Sequence, residues 1–498
     1  MNPLKKLAGQ TAIYGLPSIL GRFLGYLLVP MYTRVFSQAE YGTVNVFYSY
    51  AAFLMVILTY GMETAFFRFN ENHENKEKVF STAMISLITS SVIFLLLASV
   101  FAQPIATWIE YPEHKEYVLW FAWMLALDAL SAIPFARLRA QCKARRFAII
   151  KFVSIFITIG LNFFFILLCP WLLKNHHEWA ITKWVHLVYR SDWGIEYIFI
   201  SNLIASLVTL FLLIPQYAGM KLNADKKMLK ELLFYAFPLL FAGMAGIVNE
   251  TFDRILLRYL LPADISEAQV GIYGACYKIS ILMTLFVQAY RYAAEPFFFA
   301  QAKEKDARAV YAKIMDYFII TVSLIFLVTM LYLDDFFIRF IGKNFREGRN
   351  IIPVLMLANL FLGVYYNLSI WYKLSSKTIW GAWLSAIGAV ITLVLNFWWI
   401  PLAADNYLHG YVGSAWATFI CYGSMMILSY LIGQRHFPVK YNLLKFVGYL
   451  GISIVLYLIS ISLHFDQPSI RIAFHTLLLM VFISTVLIVE KPRLSKIF

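Results

Sequence analysis

Apolar residues occupy this chain in long stretches that recur from one end to the other, with short polar segments between them. These stretches have the roughly 20 residues that a helix needs to cross the hydrocarbon core of a bilayer. Segments such as residues 91–98 are apolar at every position after Ser91, unlike the alternating pattern of a membrane β-barrel. We predict about fourteen transmembrane helices, over residues 11–36, 42–69, 79–109, 117–140, 147–170, 195–217, 230–259, 270–300, 312–340, 350–372, 378–402, 410–433, 443–464 and 470–490.

The composition strengthens this interpretation, because 61% of the 498 residues are hydrophobic and only 14% are charged. Soluble domains carry roughly a quarter charged residues. The predicted fold class is therefore an all-α polytopic membrane protein without a sizeable soluble domain. We do not expect the first span to be a cleaved signal peptide, because it is long, contains Arg22 and lacks a small-residue cleavage site.

The basic residues give a formal net charge of +14 and concentrate at the two termini and after the even-numbered spans. The positive-inside rule therefore predicts that both termini lie in the cytoplasm. Because this charge borders helices, we expect membrane topology rather than nucleic-acid binding to account for it.

Neither the histidines nor the cysteines indicate a metal site. The longest predicted outer segment, residues 171–194, contains His176, His177 and His186 together with several tryptophans. No carboxylate or cysteine stands at a recognised ligand spacing, so we favour an interfacial segment anchored by tryptophan. The four cysteines are scattered, which argues against a disulfide framework or a zinc site.

An internal repeat relates the first six predicted spans to the next six. Tyr14-Gly-Leu-Pro17 follows a Lys-Lys pair at the same distance that separates Tyr235-Ala-Phe-Pro238 from a second Lys-Lys pair. Further matches keep the same order, which makes duplication the favoured explanation. Pro17 and Pro238 each remove a helical hydrogen bond and are expected to bend their helices, either as hinges or as static kinks.

Six crossings return the chain to the side from which it started, so the second copy inserts in the same orientation as the first. Parallel repeats of this kind occur in transporters whose two bundles rock around a central site. The last two spans lie outside the repeat. We therefore predict a six-helix bundle over residues 1–220, a second one over residues 221–440, and two additional helices with a short cytoplasmic tail over residues 441–498.

Charged residues inside the predicted spans are the strongest indication of a functional site. A charge within the membrane costs a few kcal/mol, so such residues usually face a cavity, a partner or a substrate path. We predict that four cations bind substrate: Arg22, Arg254, Lys278 and Arg291. Three carboxylates are candidates for shaping that cavity or coupling an ion: Glu63, Glu250 and Asp253. Arg22 has no basic equivalent in the second half of the repeat, which indicates an asymmetric site.

Each of these charges has a structural alternative, in which it forms an ion pair between helices or extends to the lipid headgroups. We favour that alternative for Arg68, Arg258 and Glu295 near helix ends and for Asp128, while Arg34 stays open between the two. An excess of cations over acids suits a substrate that carries phosphate, since Arg and Lys both bind phosphate oxygens.

The sequence lacks the motifs of nucleotide hydrolysis and of common membrane enzymes. It contains no Walker A sequence or other glycine-rich phosphate loop, and neither an HExxH nor a GxSxG arrangement. We therefore expect neither an ATP-driven pump acting alone nor an enzyme, and we expect no cofactor.

Several motifs resemble a known family. Asp253-Arg-Ile-Leu-Leu-Arg-Tyr-Leu260, followed by Val270-Gly-Ile-Tyr-Gly-Ala-Cys-Tyr-Lys278, resembles the polysaccharide transporter family of bacterial oligosaccharide flippases. In that family an Asp-Arg pair in the seventh helix precedes a Gly-Ile-Tyr segment that opens the eighth. Leu20-Gly-Arg-Phe-Leu-Gly25 and Phe36-Ser-Gln-Ala-Glu40-Tyr-Gly42 are similar to the family's first helix and following turn. In length, helix count and repeat, the resemblance covers essentially the whole chain.

The resemblance implies membership of the multidrug, oligosaccharidyl-lipid and polysaccharide exporter superfamily. It implies transfer of an undecaprenyl-diphosphate-linked oligosaccharide from the inner to the outer leaflet of the bacterial inner membrane. This oligosaccharide would be a repeat unit of O-antigen, capsule or exopolysaccharide. Transfer would occur by alternating access through a cationic lumen to which Arg22, Arg254 and Lys278 contribute. Independently of the resemblance, we expect a H⁺ or Na⁺ gradient to drive the cycle. The partners that we expect are the lipid-linked oligosaccharide, membrane lipids, a polysaccharide polymerase and glycosyltransferases, and no nucleic acid.

Three alternative functions stay open. A lipid II flippase is closely related to this family. A multidrug or metabolite antiporter of the same superfamily would have an anionic cavity for cationic substrates, and the excess of cations argues against it. A non-transporting scaffold in a glycan-assembly complex would require neither the repeat nor the charges within the spans.

Overall fold

The computed structural model describes residues 21, 23–175, 180–221, 225–302, 304, 306–375, 377–463 and 465–494. Every regular element in these ranges is helical, and thirteen helical segments among them are long and apolar enough to cross a membrane. The prediction of an all-α polytopic fold is thereby confirmed. Of the first predicted span the structure describes mainly the end, and both Pro17 and Arg22 lie outside the described residues.

Most helices follow one another with short connections, whereas the connection between α13 and α14 contains two 3₁₀ segments, Phe337–Phe340 and Lys343–Ile351. The first ten are α1 Val29–Val35, α2 Gln38–Thr59, α3 Met62–Asn72, α4 Lys76–Val100, α5 Ala102–Trp108, α6 Lys115–Ala140, α7 Ala144–Phe163, α8 Cys169–Asn175, α9 Ala180–Val188 and α10 Glu196–Leu213. The others are α11 Lys226–Leu260, α12 Ala263–Gln301, α13 Ala307–Leu331, α14 Ile352–Leu368, α15 Ile370–Leu374, α16 Ile379–Trp399, α17 Tyr411–His436, α18 Leu443–Ser462 and α19 Pro468–Leu494. A π-helical turn, Phe164–Leu168, connects α7 to α8.

By packing, the chain divides into two compact units, residues 1–258 and 259–498. The division lies near the end of α11, the helix with which the predicted second bundle begins. Most of α11 therefore belongs to the same compact unit as the helices of the predicted first bundle. The boundaries inferred from the repeat, after residues 220 and 440, stay a prediction, because a repeat records duplicated segments whereas the compact units record packing.

A buried hydrophobic cluster attaches the first half of α11 to the first unit. α11 contributes Met228, Leu232 and Ala236, which lie four residues apart and so share one helix face. This face packs against buried side chains that include Phe66 of α3 and Phe80 of α4. Pro238 follows directly and lies inside α11, which continues as a helix beyond it.

Asp225 fixes the start of α11. Its Oδ1 atom accepts the backbone N–H groups of Lys227 at 2.8 Å and Met228 at 3.1 Å, which would otherwise lack partners at the helix start. Its Oδ2 atom pairs with the Lys78 ammonium in the first turn of α4. The pKa of the Asp225 carboxyl is lowered to about 2, mainly by the hydrogen bond from the Lys78 ammonium and to a smaller extent by that from the Met228 N–H. Asp225 therefore joins the first turns of α11 and α4.

The two C-terminal helices, α18 and α19, pack on α13 within the second unit. Leu327 and Leu331 of α13 meet Leu456 of α18 and Leu478 and Phe482 of α19 in a buried cluster. Ion pairs lie on both sides of this cluster: Lys445 with Asp316 and Glu490, and Arg471 with Asp335. The segment that lies outside the repeat is thus held by one helix of the second unit.

Candidate functional site

The described members of the predicted site form two sets, one in each compact unit. The first unit contains Glu63, Glu250, Asp253 and Arg254, and the second contains Lys278 and Arg291. Arg22, the remaining predicted residue, lies outside the described residues. The two sets differ in burial: Arg254 in the first set is buried against Asp253, whereas Arg291 in the second set is exposed.

Arg254 lies in the second half of α11, where groups of the same unit satisfy its charge. Its Nη1 atom donates to Asp253 Oδ1 at 3.1 Å and to the Glu250 carbonyl oxygen at 2.8 Å. The Arg254 backbone N–H also donates to Asp253 Oδ1, at 2.8 Å. The side chains of Arg254 and Asp253 are only 10% and 3% exposed, whereas the Glu250 side chain is exposed. Arg254 and Asp253 therefore form a compact, buried ion pair.

Arg258, one turn further, connects the end of α11 to another part of the first unit. Its Nη2 atom lies 3.2 Å from Glu110 Oε2, and its guanidinium carbon lies 5.3 Å from the centre of the Tyr111 ring. The Arg258 side chain is 6% exposed. Glu110, which follows α5, has a φ of 65°, a left-handed conformation that few residues other than glycine adopt. This geometry agrees with the structural role that the sequence favoured for Arg258.

Glu63, a predicted ion-coupling carboxylate, lies at the start of α3 and pairs with Arg139 of α6. The Arg139 guanidinium carbon also lies 4.9 Å from the centre of the Phe67 ring. Glu63 and Asp253 thus both have arginine partners, while Glu250 exposes its side chain. The role of these three carboxylates in ion coupling or in shaping the cavity stays a prediction.

Lys151 of α7 is a charge that sequence reasoning missed, although it lies inside the predicted span 147–170. Its Nζ atom lies 4.1 Å from the centre of the Phe135 ring, and Asp128 of α6 is among its electrostatic neighbours. Ser206 of α10 is a polar neighbour of the Asp128 carboxyl. These contacts support the expectation that Asp128 is a structural partner within the first unit.

Arg291 of α12 has a different environment, in the second unit. Its side chain is 46% exposed, and its Nε atom lies 3.7 Å from Oε1 of Glu295, one turn along the same helix. Its guanidinium carbon lies 4.8 Å from the centre of the Tyr366 ring of α14, within the range of a cation–π interaction. Glu295 also contacts the Lys373 ammonium of α15. Among the described cations predicted to bind substrate, Arg291 is the most exposed.

Lys278 and Lys373 complete the cations of interest in the second unit. Lys278 is half-buried on α12 and follows Tyr277, whose ring lies 6.0 Å from that of Tyr273. Sequence reasoning missed Lys373 as a site residue, because a lysine just beyond the predicted span 350–372 indicates topology. Only the packing of α15 near α12 brings it to Glu295.

Within the described ranges, no group of three or more His, Cys, Asp or Glu side chains could hold a metal ion. His176 and His177, considered above as metal ligands, lie outside those ranges. His186 lies in the short helix α9.

A family model described as polysaccharide biosynthesis protein matches residues 7–300, which is more than half of the chain. No curated protein sequence matches the chain.

Solved structures share the fold over most of the chain. The lipid II flippase MurJ, in an inward closed conformation, is similar over 95% of this chain and 98% of its own, with a TM-score of 0.67 and 15% identity. A multidrug resistance MATE family transporter of the MOP superfamily, in an inward-facing conformation, covers 87% and 94%, with a TM-score of 0.59 and 13% identity. A mutant of the Vibrio cholerae MATE transporter VcmN covers 87% and 98%, with a TM-score of 0.59 and 14% identity. These similarities show a shared polytopic fold.

Proposed function

The chain belongs to the polysaccharide biosynthesis protein family, and we propose that it is a flippase for a lipid-linked oligosaccharide. Its substrate is an undecaprenyl-diphosphate-linked repeat unit of O-antigen, capsule or exopolysaccharide. The protein moves the polar headgroup from the inner to the outer leaflet of the bacterial inner membrane, while the lipid tail stays in the bilayer. The observation that carries this proposal is Arg291, an exposed cation on a membrane helix whose carboxylate neighbour is held chiefly by another residue.

In this proposal four cations bind the diphosphate: Arg22, Arg254, Lys278 and Arg291. Guanidinium groups bind phosphate oxygens through two parallel hydrogen bonds, and a lysine ammonium binds them as a point charge. Arg291 is exposed enough to meet the substrate directly, whereas Arg254 must first exchange its contacts with Asp253. We therefore assign the two arginines to different stages of an alternating-access cycle.

A H⁺ or Na⁺ gradient drives the proposed cycle, with Glu63, Glu250 and Asp253 as the candidate coupling groups. The exposed side chain of Glu250 makes it the first of these to test. Both termini lie in the cytoplasm, in keeping with the distribution of basic residues. A polysaccharide polymerase and glycosyltransferases act beside the flippase, and nucleic acid has no part in the process.

Depletion of the protein from the native bacterium tests the proposed function. Lipid-linked oligosaccharide should accumulate in the inner leaflet, which can be measured in spheroplasts as protection of the glycan from periodate that does not cross the membrane. Transfer of the same lipid by the purified protein in proteoliposomes removes the effect of a second flippase in the cell. Normal outward transfer in depleted cells, together with no transfer in proteoliposomes, would overturn the proposal.

The second candidate function is flipping of lipid II, which is supported by the fold shared with the lipid II flippase MurJ. Proteoliposomes that contain either lipid II or the undecaprenyl-diphosphate-linked oligosaccharide separate the two functions, because each predicts transfer of its own lipid. A multidrug antiporter, suggested by the fold shared with MATE transporters, would require an anionic cavity, which the exposed Arg291 disfavours. A scaffold protein would transfer neither lipid.

A further inference from the structure

We propose that Arg291 is the receiving cation of a diphosphate subsite, and that Lys373 keeps this cation available without touching the substrate itself. Lys373 holds the Glu295 carboxylate, and this contact prevents Glu295 from pairing closely with Arg291. Tyr366 supports the guanidinium through its ring. The inference rests on the proposed function, since it names the group that first receives the phosphate and the residue that regulates its availability.

The packing of α12 against α14 fixes the position of the Arg291 guanidinium over the Tyr366 ring. Tyr290 precedes Arg291 in the sequence, and Asn367 follows Tyr366. Asn367 Nδ2 donates a hydrogen bond to the Tyr290 hydroxyl oxygen at 2.7 Å. One turn earlier, a Cβ atom at Gly363 would lie 2.7 Å from a side-chain atom of α12. The close approach of the two helices therefore requires glycine at that position. This approach fixes which residues of α12 and α14 lie opposite each other at the subsite.

The two cations contact Glu295 unequally. The Lys373 ammonium donates a hydrogen bond to Glu295 Oε1, whereas Arg291 Nε lies 3.7 Å from the same oxygen, beyond hydrogen-bond length. An arginine four residues before a glutamate is also the less favourable order for an ion pair on a helix. The carboxylate is therefore bound chiefly by Lys373, and Arg291 keeps most of its capacity for another anion.

The charges at this place favour an anionic ligand. Two cations and one carboxylate leave a local excess of one positive charge. The quadrupole of the Tyr366 ring stabilises the Arg291 guanidinium. Unlike a hydrogen-bond acceptor, the ring leaves the N–H donors of the guanidinium for a ligand. A diphosphate supplies oxygens that match those donors. Arg291 also lies toward the end of α12 that is predicted to be cytoplasmic, where the diphosphate of an inner-leaflet lipid arrives.

Binding of inorganic diphosphate to the purified full-length protein, measured by isothermal titration calorimetry, tests this arrangement. Arg291→Ala should weaken binding at least about tenfold, because it removes a charge-assisted contact. Lys373→Met should weaken binding about three- to tenfold, because the freed Glu295 then pairs with Arg291. The double variant Glu295→Gln with Lys373→Met should recover wild-type affinity, because a neutral glutamine does not compete with the phosphate.

The recovery in the double variant distinguishes positioning from direct contact. A double variant that binds as weakly as Lys373→Met would show that Lys373 itself contacts the diphosphate, and would overturn the positioning role. Arg349→Met is the matched control, since Arg349 pairs with Asp334 at 3.2 Å elsewhere in the same unit and is well exposed. Equal weakening by this control would reduce the effect to general electrostatics and overturn the subsite, as would wild-type binding in Arg291→Ala.

Two sources of phosphate fit this chemistry, the substrate diphosphate and the headgroup of an ordinary anionic phospholipid. Competition with phosphatidylglycerol in mixed micelles separates them. Diphosphate binding that survives an excess of phosphatidylglycerol supports a substrate subsite. Displacement of diphosphate by phosphatidylglycerol at an equal concentration of phosphate groups would show that the subsite binds membrane lipid, and would overturn the inference.

Transport kinetics provide a readout that a merely structural role would not change in the same way. In proteoliposomes, Lys373→Met should raise the half-saturating concentration of lipid-linked oligosaccharide and leave the maximal rate near that of the wild type. A lower maximal rate with less folded protein would indicate a structural role and overturn the inference. If the expected diphosphate pattern holds but the wild-type protein moves no lipid-linked oligosaccharide, the proposed function fails while the subsite stands.

Discussion

Arg254 in the first unit and Arg291 in the second are both intramembrane arginines near a carboxylate in the sequence, but their surroundings are opposite. Both are arginines on long membrane helices with a carboxylate within four residues. Arg254 is 10% exposed and donates at 2.8 and 3.1 Å to acceptors on its own helix. Arg291 is 46% exposed, and its carboxylate neighbour lies 3.7 Å away and is bound by Lys373.

The difference shows two ways in which a membrane protein accommodates an expensive charge. A buried arginine with short internal hydrogen bonds is compensated by the fold in this state, so its removal should lower the amount of folded protein, in addition to removing any later contact that it makes with substrate. An exposed arginine with one long contact and an aromatic support is compensated less completely, so its removal should primarily affect ligand binding. We therefore expect burial and hydrogen-bond length, rather than the presence of charge in a span, to distinguish a cation that the fold compensates in this state, such as Arg254, from one that is available to a ligand, such as Arg291.

The largest effect that we expect is loss of folded protein in the variant Arg254→Ala. This variant removes the cation that buried Asp253 contacts, and breaking a buried ion pair costs about 3–5 kcal/mol. The amount of protein in the membrane and the thermal midpoint in detergent should both fall. The double variant Asp253→Asn with Arg254→Met should recover much of both. Full membrane levels with lost complementation would instead make Arg254 chiefly a substrate-binding residue in this state.

The next effect, on transport alone, should follow from Arg291→Ala. We expect outward transfer to fall at least about tenfold through the loss of a charge-assisted phosphate contact, while the amount of membrane protein stays near normal. Folding should be spared, because the substitution leaves no buried carboxylate and Glu295 keeps Lys373. Transfer is measured by glycan accessibility to periodate and normalised to protein by immunoblot, with Arg349→Ala as the control. A parallel fall in protein level would place Arg291 with the structural arginines.

Local sequence patterns predicted the helices well, because apolar length alone decides whether a segment can cross a bilayer. They also identified the charges that lie on one helix, such as Asp253 with Arg254 and Arg291 with Glu295. Arg291 and Glu295 are four residues apart, so the helical repeat places them on one face. The repeat equally suggested Glu250 as the partner of Arg254, whereas the structure pairs Arg254 with the adjacent Asp253 and with the carbonyl oxygen of Glu250.

Contacts between distant segments were not predictable in the same way. Lys373 approaches Glu295 across 78 residues, and Arg258 approaches Glu110 across the greater part of the first unit. No periodicity connects such positions, since their proximity depends on how α12 packs with α14 and α15 and on where α11 ends. The sequence therefore named candidate cations, while only the packing showed which of them the fold compensates.

The smallest effect that we expect concerns Asp225, which lies outside the membrane spans and contrasts with buried Asp253. Its folded pKa of about 2 lies below its usual value of about 4. A carboxyl with a lowered folded pKa stabilises the protein above the unfolded pKa and loses this contribution as the pH falls toward the folded pKa. Asp225→Asn should therefore slightly lower the thermal midpoint in detergent at pH 7, and its difference from the wild type should shrink between about pH 4 and pH 2.

Lys78→Met should show the same trend, because it removes the largest cause of the lowered pKa. A difference that stays constant to pH 2 would mean that the negative charge of Asp225 does not attach α11 to α4.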